Sequence, residues 1–344
     1  MDRIPLNLFG IPFGLAGLGG VWMSLASYGH APEAVGDAVL ALAAATWLTV
    51  LAAYLRSVLG NPRGVSRDLL DPIGGPFASL AVITPMLLAA EGVFPHAATI
   101  GRVLLDIFLV LTVLLGAWFT GQWIYGPLDI DQIHPGYFLP TVAGGLIASA
   151  GAAEVGQHRL AEVMFGLGTI CWLVLGSIIL TRLLTRPLLP VPLLPTLAIE
   201  VAPAAVATLA WFQLRGDVID PVAAMLGGYG LLMVIAQLRL LPAYARLPFM
   251  TSTWAFTFSW AAVATAALHW VHDTRPTEYS AYDWLIVVAI TGLIGGIAVR
   301  TVVAVVRGQL LPRPVAIAEP STLRSSPVTP TSAVPEAVGS PSGS

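Results

Sequence analysis

The chain has 344 residues, of which 56% are hydrophobic and 10% are charged, and its formal net charge is -3. This composition excludes an ordinary soluble globular protein and is typical of a chain that crosses a membrane many times. One cysteine, Cys171, excludes a disulfide framework and a cysteine-based zinc site. We expect the lipid bilayer as a partner and no nucleic acid.

Ten apolar runs follow one another along the chain, each roughly as long as a helix that crosses a bilayer. Odd-numbered runs are rich in Gly, Ala, Ser and Thr, whereas even-numbered runs lean to Leu, Ile and Val. We therefore predict an all-α membrane protein of five helical hairpins, with odd helices lining a central pore and even helices facing lipid. The predicted spans are 6–28, 34–57, 74–91, 99–124, 137–153, 159–184, 194–213, 220–242, 249–271 and 283–306.

The cationic residues predict the orientation, and all sixteen of them are arginine. Cytoplasmic loops carry an excess of such residues, and twelve arginines fall on the N-terminal side or in the C-terminal flank. Both termini are therefore predicted to be cytoplasmic, in a plasma or inner membrane. Residues 1–307 form the predicted transmembrane domain, and the Pro- and Ser-rich stretch 308–344 is a predicted disordered tail. The other four arginines fall on the opposite side: Arg102, Arg159, Arg215 and Arg275.

Four odd-numbered runs carry an interior proline. Proline kinks a helix and frees a carbonyl, which at membrane depth needs a protein partner or a water-filled cavity. A central channel would supply that cavity, although for any single run tight packing of small residues without a lumen is the alternative. The predicted pore-lining residues are these prolines and several neighbours: Pro12, Pro85, Pro140, Pro203, Thr141, Thr251, Ala255, Phe256, Ala262 and Thr265.

The ninth run has one large ring on a stripe of small residues. Every third or fourth position from Thr251 to Thr265 is small or weakly polar, except for Phe258. A phenylalanine on a pore-facing stripe would close the pore by filling space and by dewetting it. Phe256 competes for this role on the neighbouring stripe, and periodicity alone does not separate the two.

Glu200 lies within the seventh run, where an ionised carboxylate is costly at membrane depth. It either lies near the cytoplasmic mouth, is protonated, or faces away from the lumen. A structural role is favoured for it, and proton coupling is the alternative.

The sequence gives little support for catalysis or metal binding. His269, His272 and Asp273 form a conceivable metal site at the end of the ninth run, but a third inward ligand is lacking. The chain has neither a nucleophile motif nor a phosphate-binding glycine loop. We therefore predict no catalytic residue, no metal and no cofactor.

Four stretches carry a family resemblance: TWAFTF at 253–258, FLPTVAG at 138–144, APAAVA at 202–207 and FGIPFGLAGLGGVW at 9–22. They resemble the tellurite-resistance and C4-dicarboxylate transporter family, which includes plant guard-cell slow anion channels and bacterial TehA proteins. The resemblance covers about residues 5–307. It implies ten helices in quasi-fivefold order around an anion pore, commonly a homotrimer with one pore per protomer, and Phe258 as the occluding phenylalanine.

Two transport functions are compatible with this pattern. The first is a channel for inorganic or small organic anions in which Phe258 moves aside and backbone N–H groups and hydroxyls select the ion. The alternative is a proton-coupled carrier of C4-dicarboxylates such as malate, or of oxyanions such as tellurite or sulfite, with Glu200 as the coupling residue. Carriers often hold ionisable groups near the midplane, and because this chain is poor in them the channel is favoured.

Overall fold

The computed structural model describes residues 4–59, 62–216 and 218–311. Every regular element in these ranges is helical, and ten long helical segments correspond to the ten predicted spans. The predicted all-α fold class is confirmed. The predicted tail lies outside the described residues from position 312 onward.

The elements are named in chain order. The helices are α1 (Gly10–Ser27), α2 (Glu33–Val58), α3 (Pro62–Leu70), α4 (Leu80–Leu88), α5 (Ala98–Tyr125), α6 (Gly144–Glu154), α7 (His158–Thr185), α8 (Ala202–Arg215), α9 (Pro221–Tyr244), α10 (Ala255–Thr274) and α11 (Tyr279–Val306). Short 3₁₀ helices, here called the proximal segments, precede α1, α4, α6, α8 and α10: Leu6–Phe9, Gly75–Ser79, Pro135–Phe138, Val191–Val201 and Thr251–Trp254. Two π-helical turns lie after α4 and before α6, at Ala89–Val93 and Leu139–Ala143, and a further 3₁₀ turn spans Ile130–Gln132.

Burial divides the long helices into two layers. In the spans that contain α1, α4, α6 and α8, 72% to 89% of the residues are buried, whereas in α2, α5, α7, α9 and α11 the share is 17% to 28%. The second group exposes aliphatic side chains such as Leu114, Leu173 and Val288. The inner and outer layers predicted from composition are therefore present.

Nine helical segments of the described residues are long and apolar enough to cross a membrane. The ninth predicted span, which became α10 and its proximal segment, is not among them. The hydroxyl side chains of Thr257, Ser259 and Thr265 lower the mean hydropathy of this segment. Helix α10 contacts α1, α8 and α11, so protein rather than lipid surrounds much of it.

The inner helices contact one another in a closed cycle. Helix α1 packs against α4, α4 against α6, α6 against α8, α8 against α10, and α10 against α1. The proximal segments contact one another in the same cyclic order, so all five inner helices start at one end of the ring. We call it the proximal end and its opposite the distal end. The quasi-fivefold symmetry of this ring stays a prediction.

Three of the four prolines predicted to interrupt inner helices lie instead where a helix starts. Pro12 is in the first turn of α1, Pro140 is in the π-helical turn before α6, and Pro203 is the second residue of α8. The backbone hydrogen-bond pattern already changes at these junctions with 3₁₀ or π-helical turns, so proline costs less there than inside a regular α-helix. Pro85 lies inside α4 as predicted, just before its π-helical end.

His134 precedes the proximal segment of α6 and is fully buried. Its Nε2–H donates to the carbonyl of Ile73 at 3.0 Å, and its Nδ1 accepts the amide of Gly136 at 3.1 Å. These two bonds require a neutral ring, and burial lowers the pKa of His134 to about 4. The unfolded chain takes up this proton at a higher pH, near the usual value of about 6.5. The stabilisation by the neutral ring is therefore complete above that pH and is lost as the pH falls towards 4.

We expect the detergent-solubilised protein to lose about 2 kcal/mol of stability through His134 between pH 7.5 and pH 5. Thermal unfolding at the two pH values measures this loss. In His134→Gln the overall stability should be lower, but the difference between the two pH values should shrink by that amount. His158→Gln, at an exposed histidine, is the control and should keep the wild-type difference. An unchanged pH dependence in His134→Gln would contradict the assignment of this stability loss to His134.

Candidate functional site

A small cavity lies on the axis of the ring, and every inner helix or its proximal segment contributes to its wall. Among the lining residues are Phe13 of α1, Leu80 of α4, Leu146 of α6, Val206 of α8 and Phe258 of α10. The cavity volume is ≈ 50 Å³, which holds only a few water molecules. The axis is therefore narrow at this level, with room for little water.

The polar groups of the cavity wall are uncharged. Asn7 donates from Nδ2 to Thr251 Oγ1 at 2.9 Å, and Ser259 donates to the carbonyl of Ala255. Ser252 Oγ is buried and has no hydrogen-bond partner among the described residues. No described lining residue is charged. An ion here would therefore meet hydroxyl, amide and backbone dipoles.

Two stacked phenylalanine rings form part of the cavity wall. The rings of Phe13 and Phe258 are 3.7 Å apart between centroids and 18° from parallel. A Cβ built on Gly17 would lie 2.9 Å from Cδ2 of Phe258, so a glycine in α1 makes room for the ring. Sequence reasoning singled out Phe258 and missed Phe13 and Gly17, because a contact between α1 and α10 joins residues about 240 positions apart.

The TWAFTF motif directs its rings to three different neighbours. Trp254 donates from Nε1 to Thr301 Oγ1 of α11 at 2.9 Å. Phe256 packs edge-on against Tyr244 of α9, with centroids 4.8 Å apart. Phe258 alone of the two phenylalanines lines the cavity. Periodicity did not show which of the two phenylalanines faces the cavity, and the contacts of the two rings distinguish them.

The chain shares sequence similarity with known proteins over most of its length. A family model described as a voltage-dependent anion channel matches residues 3–302. The chain belongs to this family. The resemblance carried by its sequence motifs is thereby confirmed, and the protein is a multi-pass membrane protein of an anion channel and transporter family.

Individual relatives of this family span both bacteria and plants. The chain is 27% identical over 307 residues to the tellurite resistance protein TehA homolog of Haemophilus influenzae. The matched region covers 89% of this chain and 92% of the relative. It is 24% identical to the S-type anion channel SLAH3 of Arabidopsis thaliana, over 92% of this chain and 51% of the relative. It is 21% identical to the guard cell S-type anion channel SLAC1 of the same plant, over 77% of this chain and 49% of the relative. The chain spans about half the length of these plant relatives.

The predicted pore-lining residues divide into two groups in this family member. Pro203, Thr251 and Ala255 line the cavity together with Phe258. Seven described residues predicted to do so are absent from its wall: Pro12, Pro85, Pro140, Thr141, Phe256, Ala262 and Thr265.

Local contacts account for three of these seven. The carbonyl of Pro140 and the methyl group of Thr141 face Gly116 of α5. Thr265 donates its hydroxyl to the carbonyl of Ala261 within α10. Small residues let membrane helices approach closely, so at these positions helix packing prevails.

Glu200 faces an outer helix. It is 6% exposed, and it is absent from the cavity wall formed by the described residues. It interacts electrostatically with Tyr229 and Tyr244 of α9. Beside it, Gln237 of α9 donates to the carbonyl of Leu197 and accepts the Tyr244 hydroxyl at 2.7 Å. Of the three placements considered for Glu200, the one facing away from the lumen fits these contacts.

The conceivable metal site at the distal end of α10 is an aromatic cluster instead. Nδ1 of His269 hydrogen-bonds with the Tyr28 hydroxyl at 2.9 Å, and the ring of His272 stacks on Tyr28 with centroids 4.0 Å apart. Asp273 is exposed. Among the described residues, no group of three or more metal-ligating side chains could hold an ion.

Proposed function

We propose that the protein is an anion channel whose pore follows the axis of the inner ring and is closed by Phe258. The observation that carries this proposal is the Phe13–Phe258 stack in the wall of the cavity on the axis of the ring. Two apolar rings across a narrow route exclude water, and an ion that cannot keep its hydration shell does not pass. Conduction requires Phe258 to leave the stack.

Anion preference is assigned to backbone dipoles and uncharged side chains. All five inner helices start at the proximal end, so the positive ends of their dipoles point there. Asn7, Thr251 and Ser252 add amide and hydroxyl groups to the cavity wall. Binding by such groups is weak, which suits high flux of inorganic and small organic anions and discriminates among them mainly by dehydration cost.

The cellular setting follows from the arginine distribution and the family resemblance. The protein is proposed to lie in the plasma or inner membrane, with both termini on the cytoplasmic side. Residues 1–307 would form the transport domain. The assembly would be a homotrimer with one pore per protomer.

A flux experiment separates this proposal from its alternative. Purified protein in planar bilayers under a chloride gradient should carry an anion-selective current. Labelled malate, sulfite or tellurite in liposomes should move without a need for a proton gradient. Transport that occurs only with a proton gradient, without ionic current, would favour the carrier.

Glu200→Gln tests the coupling role of the buried carboxylate. Because Glu200 faces Tyr229 and Tyr244 and not the cavity, we expect anion flux to stay within about twofold of the wild type, as for substitutions that leave the pore wall intact. Gln237→Leu, which removes polar contacts at the same interface, is the matched control. A proton-driven flux that Glu200→Gln abolishes and Gln237→Leu retains would restore the carrier hypothesis.

A further inference from the structure

Three neighbouring polar side chains line the cavity on the axis of the ring. Asn7 belongs to the proximal segment of α1, and Thr251 and Ser252 belong to the proximal segment of α10. The hydrogen bond from Asn7 Nδ2 to Thr251 Oγ1 joins residues that are 244 positions apart in the chain. It brings the two proximal segments together, so the three side chains form one polar cluster in a wall whose other members are mostly apolar.

The two hydroxyl groups of this polar cluster have hydrogens to donate. Ser252 is 8% exposed, and its Oγ has no hydrogen-bond partner among the described residues. Thr251 accepts the Asn7 amide through its oxygen. A hydroxyl group that accepts through its oxygen still has its own hydrogen to give. Both hydroxyl groups can therefore donate to a molecule that enters the cavity.

Asn7 contributes a group of the opposite kind. Its Oδ1 is enclosed and has no donor in the described ranges, and a carbonyl oxygen can only accept. Chloride or nitrate would accept from the two hydroxyl groups but would leave this oxygen without a donor. A buried acceptor that stays unsatisfied raises the free energy of the complex. An anion that also carries an O–H group would satisfy all three side chains.

We propose that Asn7, Thr251 and Ser252 form a binding site for a monovalent oxyanion that carries an O–H group, such as hydrogencarbonate. Two of its oxygens accept from the two hydroxyl groups, and its own O–H donates to Asn7 Oδ1. The cavity of ≈ 50 Å³ holds a few water molecules, which is the space that so small an ion needs. The site rests on the proposed channel function, and its preference adds to the discrimination by dehydration cost.

Hydrogencarbonate and nitrate are the matched probes, because both are planar monovalent oxyanions and only hydrogencarbonate has an O–H group. Reversal potentials in planar bilayers, with one anion on each side, give their permeability ratio. A Phe258→Ala background is used so that the stacked rings do not limit the current. Asn7→Leu should lower the ratio of hydrogencarbonate to nitrate permeability about three- to tenfold, as expected for the loss of one hydrogen bond. Asn7→Ala gives the same measurement if Asn7→Leu does not fold.

Ser252→Ala separates the donors from the acceptor. It removes a hydroxyl group that donates to either anion, so at low anion concentration, where binding limits the current, the conductance for both should fall about two- to fivefold. The permeability ratio should stay at the value of the parent. A fall for hydrogencarbonate alone, or for neither anion, would contradict the role given to Ser252.

Thr257→Val is the matched control. The Thr257 hydroxyl already donates to the carbonyl of Trp254 at 2.7 Å, and the residue is absent from the cavity wall formed by the described residues. Its permeability ratio should equal that of the parent, and a fall as large as in Asn7→Leu would overturn the site. An unchanged ratio in the Asn7 variants, as expected if water satisfied Oδ1 or if Nδ2 faced the cavity, would overturn the site alone. A parent without anion current would refute the proposed channel, and the site with it.

Discussion

Phe258→Ala should raise chloride conductance on the order of tenfold or more. The Phe258 ring and its partner Phe13 stack on each other in the wall of a cavity of ≈ 50 Å³. Removing the ring opens space that water can enter, and a hydrated path lowers the barrier for the ion. Each 1.4 kcal/mol removed from that barrier is a factor of ten in rate.

Single-channel recording of purified protein in planar bilayers measures this change. Phe256→Ala is the matched control, because it removes the same side chain two positions away, where the ring packs on Tyr244 of α9. The control should conduct like the wild type. An unchanged conductance in Phe258→Ala refutes the gate, and an equal rise in both variants would indicate a general loosening of α10.

Phe13→Ala should also raise conductance, by about three- to tenfold and less than Phe258→Ala does. An aromatic pair contributes roughly 0.5–1.5 kcal/mol beyond its buried area, and its loss would increase the fraction of time that Phe258 spends out of the closed position. Phe13→Leu keeps most of the volume and removes the stacking, so its conductance should lie between those of the wild type and Phe13→Ala.

A double-mutant cycle decides whether Phe13 acts through Phe258. If it does, the conductance of Phe13→Ala/Phe258→Ala should equal that of Phe258→Ala within error. The Phe258 ring is already absent in both variants, so the loss of its stacking partner has no further effect. Independent, multiplying increases would mean that Phe13 obstructs the pore by itself. No increase in Phe13→Ala would show that stacking does not hold the ring in place.

Local composition was sufficient to predict the helical spans and their two layers. A run must be apolar and roughly 20 residues long to cross the bilayer, and Leu-rich stretches suit lipid whereas Gly- and Ala-rich ones suit close contact with other helices. Both properties are read within a single run. This is why the ten predicted spans agree with the ten helical segments to within a few residues.

Which face of each inner helix meets the axis depended on contacts between distant segments. The periodicity of α10 left Phe256 and Phe258 equivalent, and it was packing against Tyr244 on one side and Phe13 on the other that distinguished them. Thr251, Ala255 and Phe258 of the predicted stripe lie in the cavity wall, whereas Ala262 and Thr265 further along α10 do not. Glu200 faced α9 and Thr141 faced α5, because the outer helices pack against the inner ring at these positions. Length and hydrophobicity are properties of a single helix. The direction of a side chain within the ring of inner helices depends on every helix that packs against it.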